Sequence, residues 1–131
     1  MKLNGNTLVG MAVSFFILMA CNKEEDIHTS LQHKWSVNNV IFKIKTAQLD
    51  TTYTYVGEPQ DYFDFRNDGK IYRHLDNQTD TSVYQWISDT ELLVEEDTFM
   101  ISVITNTQLQ LRYLDSLGGG SYFQNLYNLT R

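Results

Sequence analysis

The chain has 131 residues, of which 42% are hydrophobic and 20% charged, with a formal net charge of −6. This length suits one domain, and the ordinary hydrophobic content excludes global disorder. The acidic balance argues against nucleic-acid binding, because phosphate contacts need a basic surface. The single cysteine excludes an internal disulfide, and no Cys/His spacing typical of zinc sites is present.

The first twenty residues have the pattern of an export signal. Residues 8–20, LVGMAVSFFILMA, are apolar apart from Ser14 and follow a basic residue, Lys2. The run is shorter than the roughly twenty residues that a membrane-spanning helix needs, and it matches the apolar region of a secretory signal peptide. We therefore predict that residues 1–20 are a signal peptide. A buried core helix is the alternative.

The signal ends in Leu18-Met19-Ala20-Cys21, which resembles a bacterial lipobox. The resemblance implies that the Cys21 thiol receives a diacylglyceryl group and that cleavage makes Cys21 the first residue. Each buried methylene of such an anchor contributes about 0.8 kcal/mol, so two or more acyl chains bind a membrane stably. The prediction is a protein that is anchored to a membrane without spanning it. A stray cysteine beside an ordinary cleavage site is the alternative.

Residues 21–30 are predicted to be a lipidated tether. Within it, Lys23, Glu24 and Glu25 resemble the tag by which some Gram-negative lineages send lipoproteins to the outer face of the outer membrane. The resemblance predicts an outer-membrane lipoprotein exposed at the cell surface. The alternatives are a location on the periplasmic face and a charge run that is only a solvated tether.

From Trp35 onward, hydrophobic residues alternate with a period of two, which is typical of half-buried strands. Thr29 or Ser30 is expected to cap one helical turn over 29–34. Residues 51–56 are rich in β-formers and add or extend a strand, and residues 116–121, with three glycines, are expected to form a flexible loop. The eight predicted strands are 34–45, 62–66, 70–75, 79–87, 91–95, 98–105, 108–114 and 121–130.

Eight consecutive strands with short connections predict an all-β fold, an antiparallel up-and-down barrel over residues 31–131. Closing the sheet removes its exposed edges, which favours the barrel over the alternative, a β-sandwich. The alternation also predicts which side chains point into the barrel. This inward set is Trp35, Val37, Phe63, Phe65, Ile71, Leu92, Val94, Phe99, Ile101, Val103, Leu109 and Leu111.

Four segments together resemble the small bacterial lipocalin-like domain lipoproteins: LQHKWSV, YFDFRNDGKIYRHL, WISDTELLVEEDTFMISVITNTQLQLRYL and YFQNLYNLTR. They cover nearly all of 31–131, although His33 stands where the family has a glycine. The resemblance implies an eight-stranded barrel closed below by the segment before Trp35. It also implies that Trp35 packs against a late arginine, for which Arg112 and Arg131 are the candidates.

Enzyme signatures such as GxSxG, HExxH and the phosphate-binding loop are missing. The three histidines are scattered along the sequence, so neither a metal site nor a cofactor is predicted. The interpretation is therefore a binding protein rather than an enzyme.

An eight-stranded barrel is just wide enough to be filled by its own side chains or to hold one small ligand. We predict a small apolar or amphipathic ligand. A buried arginine needs a partner, so Arg73 is expected to bind an anionic ligand group, to pair with a carboxylate of the chain or to reach the rim of the barrel. The alternative function is a structural or accessory surface lipoprotein with a filled barrel that acts through protein–protein contacts. The candidate ligand-binding residues are Trp35, Phe63, Phe65, Arg73, Phe99 and Ile101.

Overall fold

A computed structural model describes residues 26–131, which form one short helix and nine strands. Every strand pairing is antiparallel, which confirms the all-β prediction. No helix in this range is long and apolar enough to cross a membrane. The elements are α1 Ile27–Leu31, β1 Lys34–Lys45, β2 Asp50–Val56, β3 Tyr62–Phe65, β4 Lys70–Leu75, β5 Gln78–Ser88, β6 Glu91–Val94, β7 Asp97–Ile104, β8 Gln108–Gly118 and β9 Ser121–Thr130.

The sheet closes because β1 pairs on both edges. One edge pairs with β9 from Ser36 to Lys45. The opposite edge pairs with β3 near the start of β1 and with β2 from Asn39 onward. Strands β1 and β3 to β9 therefore form a closed eight-stranded ring in chain order, which confirms the up-and-down barrel. The segment predicted to add or extend a strand is β2, an extra strand whose only pairing partner within residues 26–131 is β1.

Helix α1 lies at the end of the barrel where β1 begins, which we call the closed end. The ring of His28 stacks on Trp86 with centroids 4.1 Å apart. The helix begins two residues earlier than predicted because Asp26 caps it, accepting a hydrogen bond from the backbone N–H of His28 at 3.3 Å. Leu31, at the end of α1, is fully buried.

The half of the barrel next to the closed end is filled with side chains. All residues of the predicted inward set are buried except Val103, which is 37% exposed. The register of β7 against β8 shifts between Ile101 and Val103, and such a bulge turns the following side chains to the other face. The prediction for Val103 was therefore wrong.

The opposite end, which we call the open end, carries the turn between β8 and β9. Strand β8 runs to Gly118, four residues further than predicted, so most of the expected flexible loop is strand. Gly118, Gly119 and Gly120 have φ angles of +82°, +60° and +78°. Glycine adopts these angles without steric cost, which allows the tight hairpin.

Candidate functional site

A cavity of about 240 Å³ lies in the open half of the barrel. We call this cavity the cup. A second depression of about 340 Å³ adjoins it and shares Leu75 and Gln78 with it. The residues lining the cup are Phe63, Arg73, Leu75, Gln78, Thr79, Asp80 and Tyr127.

Strand alternation explains why this cavity has a polar wall. Along the inner face of β4, the buried Ile71 is followed by Arg73 and Leu75. The antiparallel register places Asp80 of β5 directly opposite Arg73 and Ser82 opposite Ile71. The inner face therefore changes from apolar to charged as it leaves the filled core.

The charged group of Arg73 is held by its neighbours on β5. Its Nε and Nη2 donate to the two carboxylate oxygens of Asp80 at 2.8 and 2.7 Å, and Nη2 also donates to Ser82 Oγ at 3.1 Å. Arg73 thus has a carboxylate of the chain as its partner, which was one of the three expected arrangements. Because the fork-like geometry fixes both groups, the wall is ordered and its charges are balanced.

Aromatic rings form the rest of the cup. The centroids of Phe63 and Tyr127 lie 5.3 Å apart, and the guanidinium carbon of Arg73 lies 5.9 Å from the Phe63 centroid. The Tyr127 hydroxyl oxygen accepts a hydrogen bond from Asn125 Nδ2 at 3.1 Å. Burial raises the pKa of Tyr127, and the carboxylates of Asp97 and Asp80 act in the same direction. Tyr127 is therefore neutral at physiological pH and retains a hydroxyl proton to donate.

The six predicted ligand-binding residues lie at two levels of the barrel. Phe63 and Arg73 line the cup. Trp35, Phe65, Phe99 and Ile101 are buried in the filled half, where their exposure does not exceed 7%. A period of two shows which side chains point inward but not how far along the barrel axis they lie, so the sequence could not separate the two levels.

Trp35 and Arg131 together close the closed end of the barrel. The guanidinium carbon of Arg131 lies 5.0 Å from the Trp35 ring centroid, within the range of a cation–π contact. The Trp35 indole Nε1–H donates to the Leu31 carbonyl oxygen at 3.0 Å. The other candidate, Arg112, is on the outer face of β8, and its Nη2 lies 3.1 Å from the sulfur of Met100. The structure therefore assigns the contact to Arg131.

Sequence reasoning missed the central role of Asp61, which is only 1% exposed. Its carboxylate accepts hydrogen bonds from the Tyr55 hydroxyl at 2.6 Å and from the backbone N–H groups of Glu58 and Asp76 at 2.8 and 3.2 Å. His74 Nδ1 lies 3.2 Å from the same carboxylate. Burial alone would raise the pKa of Asp61, but these contacts outweigh it and hold that pKa below its ordinary value. Asp61 thus joins β2 to β4 and to the turn after β4.

The contact between Tyr55 and Asp61 makes stability depend on alkaline pH. The hydrogen bond to the Asp61 carboxylate, together with burial, raises the pKa of Tyr55 from 10.0 to about 12. Because the folded pKa is the higher one, this contribution to stability is complete below pH 10 and is lost as the pH rises to about 12. We expect the melting temperature of the native protein to fall more steeply in that window than that of Tyr55→Phe. Tyr53→Phe, at an exposed tyrosine of the same strand, is the control. Identical pH profiles for the native protein and Tyr55→Phe would contradict the expectation.

No protein-family model matches the chain, and no curated protein matches it. Among residues 26–131, no group of three or more His, Cys, Asp or Glu is placed to hold a metal ion. The predicted lipidation site Cys21 and the predicted export tag Lys23, Glu24 and Glu25 lie outside the described residues.

Proposed function

We propose that the protein is a lipid-anchored outer-membrane lipoprotein whose lipocalin-like barrel binds one small amphipathic ligand in the cup. The observation that carries this proposal is the cavity itself, with an aromatic wall and an ordered polar wall above a filled core. Its volume of about 240 Å³ lies below the roughly 300–1,000 Å³ of sites for drug-sized ligands. The ligand is therefore a small molecule, with an apolar body and at least one polar group.

Filling the cup should abolish ligand binding. Leu75 lines both the cup and the adjoining depression, so Leu75→Trp is expected to occupy the space that a ligand needs. Native mass spectrometry of protein purified from its own host should show a bound small molecule in the native chain and none in Leu75→Trp. Thr81→Trp, the same residue introduced at an exposed outer position of β5, should retain the ligand. A ligand retained by Leu75→Trp would contradict binding in the cup.

The proposed anchor fixes which end of the barrel faces the membrane. Asp26 caps α1 at the closed end, and it lies five residues after Cys21. Five residues span at most about 18 Å when fully extended. A lipid on Cys21 would therefore hold the closed end near the bilayer surface, and the cup would open away from it.

The anchor is tested by Cys21→Ser. The variant is expected to lose its lipid and to leave the membrane fraction or to retain the signal peptide, because no thiol is available for the diacylglyceryl group. Membrane fractionation and the intact mass of the chain measure both outcomes. A processed, membrane-bound variant would contradict lipidation.

In the lipidated protein, alanines at 23–25 should also abolish labelling of intact cells by a membrane-impermeant reagent if the tag directs surface exposure.

The second candidate function is an accessory lipoprotein that acts on another protein through its outer surface. It is favoured by exposed apolar side chains near the open end: Leu49 and Leu114 are each 50% exposed, and Leu117 is 55% exposed. Exposed apolar residues are typical of contact surfaces where they form a contiguous patch. A native chain that carries no small molecule in the mass-spectrometry experiment would favour this function.

A further inference from the structure

We propose that the cup selects uncharged ring compounds that carry a hydrogen-bond acceptor, such as a carboxamide, over their carboxylate and ammonium analogues. The proposal rests on the proposed function, since it names the ligand class of the same cavity. It is carried by the ion pair in the polar wall and by two hydrogen-bond donors that have no acceptor among the described residues.

The charges that line the cup cancel. Among residues 26–131, Arg73 and Asp80 are the only charged residues that line it, and they form a two-point ion pair with each other. A charged ligand would lose part of its hydration on entering, and it would meet one wall group of its own sign for each group of the opposite sign. Desolvation of an ion without a net countercharge is unfavourable. An uncharged ligand avoids this cost.

Two hydrogen-bond donors in the cup have no acceptor among the described residues. The hydrogen bonds of the Arg73 guanidinium all involve Nε and Nη2, which leaves Nη1. The hydroxyl of Tyr127 accepts from Asn125, and its own proton has no acceptor in this part of the chain. A carbonyl oxygen of a ligand can accept from either donor, which would add to the apolar contacts.

The aromatic wall and the volume limit the rest of the ligand. Phe63 contacts both Tyr127 and Arg73, so it forms the surface between the two donors. Aromatic rings favour offset or edge-to-face contact with another ring. A single six-membered ring with one small substituent is therefore the best-matched body for a cavity of about 240 Å³.

Three probes with the same ring separate the charge states: benzamide, benzoate and benzylamine, which is an ammonium ion at pH 7. Backbone amide shifts in a titration give the dissociation constant of each probe. Benzamide is expected to bind at least about tenfold more tightly than benzoate, because only the ion loses hydration without a net countercharge. Benzylamine should bind as weakly as benzoate, because the paired charges of Arg73 and Asp80 offer neither ion a net countercharge.

Two variants that unbalance the wall should change this order in opposite directions. Asp80→Asn leaves the Arg73 charge without its partner, so benzoate should become the tightest probe. Arg73→Gln leaves the Asp80 charge, so benzylamine should become the tightest. Amide spectra that retain the dispersion of the native barrel show that each variant is folded.

The donor from Tyr127 is tested separately. Tyr127→Phe should raise the dissociation constant of benzamide about two- to tenfold, which is the range for the loss of one hydrogen bond. Tyr122→Phe, the same change on the outer face of β9, should not alter binding.

Equal binding of benzamide and benzoate to the native chain, or an unchanged order in both charge variants, would overturn the selectivity while leaving ligand binding in the cup intact. If no probe binds to any variant and the protein from its host carries no small molecule, the proposed function fails as well.

Discussion

Asp61→Ala is expected to lower the free energy of unfolding by about 3 kcal/mol, because a hydrogen bond to a charged group contributes roughly 1.5–3 kcal/mol and water can replace only part of the bonds that partly buried donors lose. The Asp61 side chain is the acceptor for three donors from different parts of the chain, the Tyr55 hydroxyl and the N–H groups of Glu58 and Asp76. Urea denaturation followed by circular dichroism measures the loss. Asp61→Asn keeps one acceptor oxygen, so its loss should be smaller.

Asp64→Ala provides the matched control three residues away. The Asp64 carboxylate pairs with the half-exposed Arg66 side chain at 2.9 Å. Ion pairs of this kind contribute at most about 1 kcal/mol. If Asp64→Ala destabilised the protein as much as Asp61→Ala, the special role assigned to the buried carboxylate would be wrong.

Loss of Asp61 should also have a local effect on β2. In the described part of the chain this strand pairs only with β1, and the Tyr55 hydroxyl links it to Asp61. Asp61→Ala is therefore expected to accelerate the exchange of β2 amide hydrogens relative to the native protein. The exchange of amide hydrogens in β8, which pairs on both edges, should change less. The same region forms one side of the depression that adjoins the cup.

The barrel could be predicted because its determinants are local. Alternation determines the faces of the strands. Asn67-Asp68-Gly69 is a local turn sequence between β3 and β4, and Gly69 adopts a φ of +77° there. Closure by pairing of β1 with β9 is a long-range event. It followed from the number and order of the strands, since a sheet of consecutive hairpins removes its edges by closing.

The site could not be predicted from alternation alone. Its residues are brought together by the pairing register of the strands and by their positions along the barrel axis, and alternation gives neither. The pair Arg73–Asp80 was nevertheless within reach of sequence reasoning. Asp76 and Asn77 form a two-residue turn with positive φ angles of 50° and 60°, and this turn pairs Leu75 with Gln78. Counting back by two residues on each strand places Arg73 opposite Asp80. The role of Asp61 had no such signal, because its partner on β4 lies thirteen residues away across a different hairpin.

Trp35→Ala is expected to lower the free energy of unfolding by about 3–5 kcal/mol, the usual cost of removing a buried tryptophan side chain. Trp35 is fully buried at the closed end, where no solvent can replace the lost contacts. Trp35→Phe keeps an aromatic ring but leaves the Leu31 carbonyl without its indole donor, so it should cost less than the alanine variant. Urea denaturation measures both variants.

The two arginines that the sequence left as alternatives now serve as test and control for the same closure. Arg131→Ala removes the cation over the Trp35 ring and should cost about 0.5–2 kcal/mol, whereas Arg112→Ala, on the outer face, should cost less. The decisive measurement is a double-mutant cycle. Arg131→Ala should cost less in the Trp35→Phe background, since phenylalanine attracts a cation more weakly than tryptophan does. If the cost of Arg131→Ala is the same in both backgrounds, Arg131 does not stabilise the closed end through the Trp35 ring.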